Sequence, residues 1–216
     1  MFVLTSFTNH PAPESQRGAS AGERSFEHIS AEQVYKDAEA LDKTPTSHLP
    51  LVILFYGFSG PAEKDNGFEV WARRAGAACG LCVTVHMADI ENGIDLADDV
   101  AWKDLAVRLA TDFDGSLWSP PCSTFSAART RPGGPPLLCG HCGKDLYGLP
   151  SLRPSDKEKV RVGTLLALRA AQGIDVQKRA GKPWILETPS PRPRVSSVFS
   201  LPEVQDACGP DHFDVD

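Results

Sequence analysis

The stretch Leu51–Gly60, which reads LVILFYGFSG, decides the fold. Its first six residues form an unbroken apolar run, which is typical of a strand buried on both faces of a parallel sheet. The run ends in the glycine-rich turn Gly57–Gly60, and glycine lets a ligand approach the backbone closely. The stretch therefore predicts a strand of a parallel sheet whose carboxyl end borders a binding site.

Later segments repeat this alternation of strand and helix. Short apolar segments bounded by turn residues predict three more strands, at residues 81–87, 116–118 and 184–187, with residues 212–215 as a further candidate. Polar caps before apolar residues at helical spacing predict helices that begin at Asn66, Asp98 and Ser155. The alternation predicts an α/β fold, with a doubly wound, mostly parallel, Rossmann-like sheet and helices on both faces.

The composition divides the chain and excludes several classes of protein. Residues 1–48 are rich in Ser, Thr, Pro, Glu and His, and we expect a flexible extension with one short helix from Ser30; residues 49–216 form the α/β domain. The net charge of −6 argues against a protein that binds nucleic acid by charge alone. No run approaches the roughly 20 apolar residues of a membrane span. Six cysteines without an export signal indicate reduced thiols in an intracellular protein, cytoplasmic or nuclear.

Residues that can do chemistry follow each of the four predicted strands. They are Gly57–Gly60, Asp89, Pro121-Cys122 and Glu187. Because ligands bind outside the carboxyl ends of parallel strands, we expect these residues to lie at one edge of the sheet. Asp89 can accept hydrogen bonds from two ribose hydroxyls, which favours a cofactor that contains a nucleoside.

Cys122 and Glu187 are the candidate catalytic residues. Two prolines precede Cys122 and stiffen its loop, which suits a nucleophile that must be held rigidly; a small apolar residue under a proline turn is the alternative. Glu187 follows an apolar strand, where partial desolvation suits proton sharing with a base ring; a carboxylate bonded to local backbone amides is the alternative.

These segments, in this order, resemble the motifs of DNA cytosine-5 methyltransferases. Phe55–Gly60 is similar to the family's Phe-x-Gly-x-Gly-Gly, Pro121–Ser126 to its Pro-Cys-x-x-Phe-Ser, and Glu187–Pro189 to its glutamate motif, Glu-Asn-Val or Glu-Asn-Pro. The resemblance covers about residues 50 to 190. The family's target-recognition region is not recognisable, so we expect a truncated or minimal relative.

The resemblance implies S-adenosylmethionine as the cofactor and DNA as the substrate, with RNA left open. It implies that Cys122 attacks carbon 6 of a cytosine and that Glu187 hydrogen-bonds the ring, so that carbon 5 takes the methyl group. The residues implied to hold the cofactor are Phe55, Gly57, Phe58, Ser59, Gly60, Asp89 and, more loosely, Asp95. Those expected to contact the nucleic acid are Ser126, Arg129, Arg131, Arg192 and Arg194.

Three alternatives stay open. The chain can be a non-catalytic remnant of this fold that acts as a binding or assembly module. Ser119-Pro120-Pro121 also resembles the Ser-Pro-Pro-Tyr motif of enzymes that methylate amino groups of cytosine or adenine, although Cys122 stands in place of the aromatic residue. Two CxxC pairs have the spacing of a structural zinc site, formed by Cys79, Cys82, Cys139 and Cys142.

Overall fold

The computed structural model describes residues 49–60, 67–189 and 191–209. These residues fall into two compact units. The larger unit contains residues 53–60, 85–189 and 191–209, and the smaller unit contains residues 49–52 and 67–84. The predicted extension over residues 1–48, its helix from Ser30 and the candidate strand at 212–215 lie outside the described residues.

The sheet has four parallel strands in the order β2-β1-β3-β4. The strands are β1 (Leu51–Gly57), β2 (Cys82–Ala88), β3 (Gly115–Trp118) and β4 (Trp184–Leu186). In the register, Tyr56 pairs with Leu117, which pairs with Ile185. Helices flank this sheet, and the predicted Rossmann-like α/β fold class is confirmed. Because the chain passes from β1 to β2 on one side and returns to β3 on the other, the strand order reverses between β1 and β3. Ligands of such sheets bind outside the carboxyl ends of the strands at this point.

The strands lie within one or two residues of their predicted positions, but β1 is less buried than its sequence suggests. Phe55 is fully buried, whereas Leu51 is 58% exposed at the start of the strand. The prediction of a strand buried on both faces therefore holds only towards its carboxyl end.

The described helices are α1 (Phe68–Ala78), α2 (Asp99–Thr111), α3 (Pro154–Arg179) and α4 (Pro202–Cys208). The predicted cap of α2 is confirmed, because the Asp98 carboxylate accepts hydrogen bonds from the backbone amides of Val100 and Ala101. None of the helices in the described ranges has the length and apolar character needed to cross a membrane.

Two helix starts differ from the prediction. The cap position of α1 is Gly67, one residue after the expected Asn66, which is not among the described residues. Helix α3 is capped at Arg153 instead of Ser155, with Pro154 as its first helical residue. Proline suits that position because its fixed φ is already helical and its missing N–H has no helical partner to lose. Arg153 then donates from Nε to Asp156 at 2.9 Å, which closes the first turn.

Trp118 is the centre of the core in the larger unit. Its indole is fully buried, packs against Trp102 of α2 with ring centroids 6.2 Å apart, and donates to the Ser116 hydroxyl at 2.9 Å. A methyl group added at Gly173 of α3 would lie 2.1 Å from the same indole. Both helices therefore pack closely on Trp118, which lies directly before the loop that carries Cys122.

Candidate functional site

Ser119 and Glu187 are the first residues beyond β3 and β4. The backbone pairing of the sheet continues to them, because Ser119 donates from its amide to the Gly57 carbonyl at 3.1 Å and Glu187 donates to the Trp118 carbonyl at 2.7 Å. The carboxyl ends of β1, β3 and β4 are thus held in register where the strand order reverses. This fixed edge carries the candidate site.

A cavity of about 760 Å³ opens at this edge, and both candidate catalytic residues line it. Cys122 and Glu187 are 65 positions apart in sequence, and each is half-buried. The cavity is also lined by Ser119, Ser126, Arg131 and Arg192. The structure therefore brings together the predicted nucleophile, the predicted carboxyl group and three of the five residues expected to contact nucleic acid.

The Cys122 loop is anchored by buried side chains. The Phe125 amide donates to the Cys122 carbonyl at 2.9 Å, which closes a tight turn. Phe125 and Thr124 are each only 3% exposed, and a methyl group at Gly163 of α3 would lie 2.7 Å from the Thr124 hydroxyl. The glycine in α3 thus leaves room for the loop to approach, and the loop holds Cys122 at the cavity wall.

Glu187 is oriented by hydroxyl groups from the neighbouring strands. Ser119 donates from Oγ to Glu187 Oε2 at 2.6 Å, and the Tyr56 hydroxyl lies 3.3 Å from the same Ser119 Oγ. Burial raises the pKa of the Tyr56 phenol, and the negative charges of Glu187 and Asp89 raise it further. Tyr56 is therefore a neutral hydroxyl beside the carboxylate at neutral pH.

The five arginine and serine predictions separate into two groups. Arg131 and Arg192 line the cavity with no ion-pair partner among the described residues, and Ser126 lines it while its Oγ accepts from the Ala128 amide. Arg129 instead donates from Nε to the Ser123 carbonyl at 2.7 Å and from Nη1 to the Pro136 carbonyl at 2.8 Å. Arg194 is exposed, with a positive φ of 60°, and is not among the residues that line the cavity. Arg129 therefore braces the loop, and only two of the four arginines reach the cavity.

The glycine turn, Gly57–Gly60, is tied to the end of β2. The Gly60 amide donates to Asp89 Oδ2 at 3.1 Å, and the Phe58 amide donates to the Ala88 carbonyl at 2.8 Å. Ser59 and Gly60 also accept from the Asn92 side chain. The turn and Asp89 are thus neighbours, as the cofactor hypothesis requires.

The Asp89 carboxylate fits a ribose only in part. Its Oδ1 accepts from the Glu91 amide at 3.0 Å and its Oδ2 accepts from Gly60, so each oxygen has one partner and keeps acceptor capacity for a hydroxyl. Asp95 is exposed, and its Oδ1 accepts from the Ala97 amide at 2.8 Å. The two carboxylates can therefore accept hydrogen bonds from a nucleoside, although each already accepts a hydrogen bond from at least one backbone amide.

Two other predicted cofactor residues face the protein interior. Phe55 is fully buried, with its ring 4.9 Å from that of Trp118, and it presents no surface that could touch a ligand. A methyl group at Gly57 would lie 2.6 Å from the Trp118 ring, so packing already requires glycine there. The motif that suggested a cofactor site is explained in part by the core beneath it.

The four cysteines of the zinc alternative are divided between the two units, with Cys79 and Cys82 in the smaller unit and Cys139 and Cys142 in the larger one. No three His, Cys, Asp or Glu side chains in the described ranges lie close enough together to hold a metal ion. Cys139 is buried, and burial raises the pKa of its thiol to about 11, whereas Cys142 and Cys79 are exposed and Cys82 is half-buried. A zinc ligand must be a thiolate, which the apolar surroundings of Cys139 disfavour.

Tyr56 and Ser119 are functional residues that the sequence motifs do not predict. Side chains alternate along a strand, so Ser119 lies on the same face as Leu117 and Glu187 on the same face as Ile185. Because Tyr56, Leu117 and Ile185 are in register, Tyr56, Ser119 and Glu187 share one face of neighbouring strands. The register of β1, β3 and β4 is the information that identifies Tyr56 and Ser119 as neighbours of Glu187.

No family model matches the chain, and no curated protein or solved structure matches it either. Its function must therefore be inferred from the site.

Proposed function

We propose that this protein transfers a methyl group from S-adenosylmethionine to carbon 5 of cytosine in DNA, through a covalent adduct with Cys122. One observation carries the proposal: Cys122 and Glu187 line the same cavity at the edge where the strand order reverses. A thiol and a carboxyl group are the pair that this chemistry needs, because an aromatic carbon is a poor nucleophile until its conjugation is broken.

The reaction divides between the two side chains. The Cys122 thiolate adds to ring carbon 6, and Glu187 gives a proton to ring N3, which stabilises the electron pair displaced from the C5–C6 double bond. Carbon 5 thereby becomes nucleophilic. S-adenosylmethionine, bound at the glycine turn, would supply the methyl group that carbon 5 takes, and S-adenosylhomocysteine would be the leaving group. Loss of the C5 proton to solvent, return of the N3 proton to Glu187 and expulsion of the Cys122 thiolate restore the aromatic ring.

Arg131 and Arg192 support a polynucleotide substrate. Both line the cavity, and neither has an acidic partner among the described residues, so each can contact a phosphate beside a cytosine rotated out of the helix. Two phosphate contacts on a protein with a net charge of −6 predict weak binding that salt weakens further.

A binding module without catalysis is the second candidate, and the glycine turn favours it. The polar groups of that turn already bond to Asp89, Ala88 and the Asn92 side chain. A chain that keeps the arginine-lined cavity but binds no methyl donor would still bind nucleic acid.

Trapping separates the two functions. A duplex that contains 5-fluorocytosine, incubated with the protein and S-adenosylmethionine, should give an adduct that survives denaturing electrophoresis, because fluorine at carbon 5 blocks the final elimination. We expect Cys122→Ser to abolish the adduct and Glu187→Gln to slow it by about 10²- to 10⁴-fold, the usual contribution of a general acid.

Cys142→Ser is the matched control, because Cys142 is exposed and does not line the cavity. An adduct that survives Cys122→Ser would overturn the assignment of the nucleophile. Binding of the duplex without any adduct would favour the binding module, and binding of neither duplex nor cofactor would overturn both functions.

A further inference from the structure

Three hydroxyl and carboxyl groups form a chain across β1, β3 and β4. Tyr56 Oη lies 3.3 Å from Ser119 Oγ, and Ser119 Oγ lies 2.6 Å from Glu187 Oε2. The second distance is in the short range typical of a hydroxyl that donates to a carboxylate. Ser119 thus connects the carboxyl group of the proposed reaction to a tyrosine two strands away.

The number of hydroxyl protons fixes which group donates in each of these two hydrogen bonds. A serine hydroxyl has one proton, and Ser119 donates it to Glu187. The bond between Tyr56 and Ser119 therefore has Tyr56 as its donor. Tyr56 thus donates to Ser119, and Ser119 donates to one specific oxygen of Glu187, Oε2.

We propose that Ser119 is a positioning residue that decides which oxygen of Glu187 carries the catalytic proton. Because Oε2 accepts from Ser119, the proton of a neutral Glu187 belongs on Oε1, which has no hydrogen-bond partner among the described residues. That oxygen can then donate to ring N3. The inference rests on the function proposed above, because it assigns Glu187 its role as proton donor.

The hydroxyl of Ser119 is not needed to hold the sheet edge together. The backbone amides of Ser119 and Glu187 already donate to the Gly57 and Trp118 carbonyls. Replacing the side chain by alanine therefore removes the bond to Oε2 and leaves the backbone pairing in place.

The expected effect follows from the orientation of Glu187. Without the Ser119 hydroxyl, the carboxyl group rotates freely and its proton is shared between its two oxygens, so the maximal rate falls. Cys122, Arg131 and Arg192, which line the same cavity, are unchanged by the substitution.

Exchange of the C5 hydrogen of cytosine measures this step without a methyl donor. In D₂O, addition of Cys122 to carbon 6 and protonation of N3 let carbon 5 take a deuteron from solvent. Reversal loses a hydrogen from carbon 5 and expels the thiolate, so deuterium enters the base. A cytosine-containing duplex serves as the probe, and mass spectrometry of the recovered nucleosides gives the rate.

We expect Ser119→Ala to slow the exchange by about 10- to 100-fold, the loss typical of one hydrogen bond to a charged group. Ser119→Thr, which keeps the hydroxyl, should restore most of the rate. Ser123→Ala, an exposed serine of the same loop, is the matched control.

The outcomes separate the two proposals. If the parent protein neither exchanges the C5 hydrogen nor forms the 5-fluorocytosine adduct, the proposed function fails and this inference fails with it. If the parent protein reacts and Ser119→Ala reacts within twofold of it, only the role of Ser119 is overturned. If Ser119→Thr reacts as slowly as Ser119→Ala, the role of the Ser119 hydroxyl is also overturned, because a restored hydroxyl group should restore the rate. If Ser119→Ala does not fold, Tyr56→Phe tests the same series of hydrogen bonds, and a smaller loss of exchange rate is expected.

Discussion

The cavity and the glycine turn lie at the same edge of one sheet, yet they use their polar groups differently. Among the described residues, Arg131 and Arg192 of the cavity have no ion-pair partner, and one oxygen of Glu187 has no hydrogen-bond partner. At the glycine turn, both oxygens of Asp89 accept backbone amides and the Asn92 side chain spans Ser59 and Gly60. The cavity therefore has polar groups that are available to a ligand, whereas the polar groups of the glycine turn stabilise the turn itself.

This difference shows which half of the proposed function has the stronger support. Buried polar groups in a folded protein generally find partners, so a polar atom that lacks one in a cavity is a candidate for a ligand contact. The half-buried Glu187 meets that condition with one of its oxygens, whereas Arg131 and Arg192 are exposed and can bond to water. The glycine turn has a structural explanation for most of its features, so its role as a cofactor site needs tests that separate packing and bracing from binding.

The largest effect in these tests is expected at Gly57. A methyl group there would lie 2.6 Å from the Trp118 ring, which cannot retreat because Gly173 packs on its other atoms. Overpacking of this kind costs about 1 to 3 kcal/mol, so urea denaturation of Gly57→Ala should show a loss of that size.

Gly93→Ala is the control for Gly57→Ala. Gly93 has a positive φ of 81° and open space around it, so its substitution adds backbone strain without a clash. If Gly57→Ala were as stable as the parent protein but lost affinity for S-adenosylhomocysteine, glycine would be required there for the ligand and not for packing.

A smaller effect is expected at Asp89. Asparagine has one acceptor oxygen, so Asp89→Asn cannot keep the bonds from both Gly60 and Glu91. We expect a loss of about 1 kcal/mol in the free energy of unfolding. If Asp89 also binds a ribose, calorimetry should show about tenfold weaker binding of S-adenosylhomocysteine, equivalent to one lost hydrogen bond.

Asp98→Asn is the matched control for Asp89→Asn. The single oxygen Oδ1 of Asp98 accepts from both Val100 and Ala101, so asparagine can keep both bonds. Unchanged affinity in Asp89→Asn, together with its loss of stability, would mean that Asp89 is a brace and would weaken the cofactor half of the proposal.

The sequence predicts the features that depend on local chemistry. The apolar run of β1, the carboxylate cap at Asp98 and the proline-stiffened loop at Cys122 each follow from neighbouring residues. The rule that parallel strands place their carboxyl ends together then predicts that Cys122 and Glu187 approach each other. The apolar pattern of the strands and the common position of their carboxyl ends were therefore enough to predict that Cys122 and Glu187 lie at one site.

Features that depend on register or on competing local signals could not be read in the same way. The bond from Ser119 to Glu187 requires knowing which residues of β3 and β4 are paired. The start of α3 is set by Pro154, although Ser155 also begins a plausible capping box. Helix α4 has only seven residues, too few for an apolar period to stand out.

The smallest effect, at His86 of β2, distinguishes the two regions by pH. The His86 ring lies 6.2 Å from that of Phe55 and 5.5 Å from that of Phe113. Burial lowers the pKa of His86 below its usual 6.5, and the positive charge of Arg108 lowers it further. The unfolded chain therefore binds this proton more readily than the folded protein, so stability falls as the pH drops below about 6.5 through the pKa of the folded state.

His86→Gln should reduce the difference in melting temperature between pH 7 and pH 5, and His141→Gln, at an exposed position, should leave it unchanged. The carboxyl groups of Asp112, Asp156 and Glu158 do not interfere, because their pKa values are lowered and they stay ionised throughout this range.

His86 lies three residues before Asp89, so its protonation should loosen the glycine turn first. The protection factor of amide exchange, which corrects for the slower intrinsic exchange at pH 5, should then fall at Phe58, which donates to Ala88, and stay high at Glu187, which donates to Trp118. An equal fall at both amides would contradict the separation of the two regions, since it would mean that the whole edge opens as one unit.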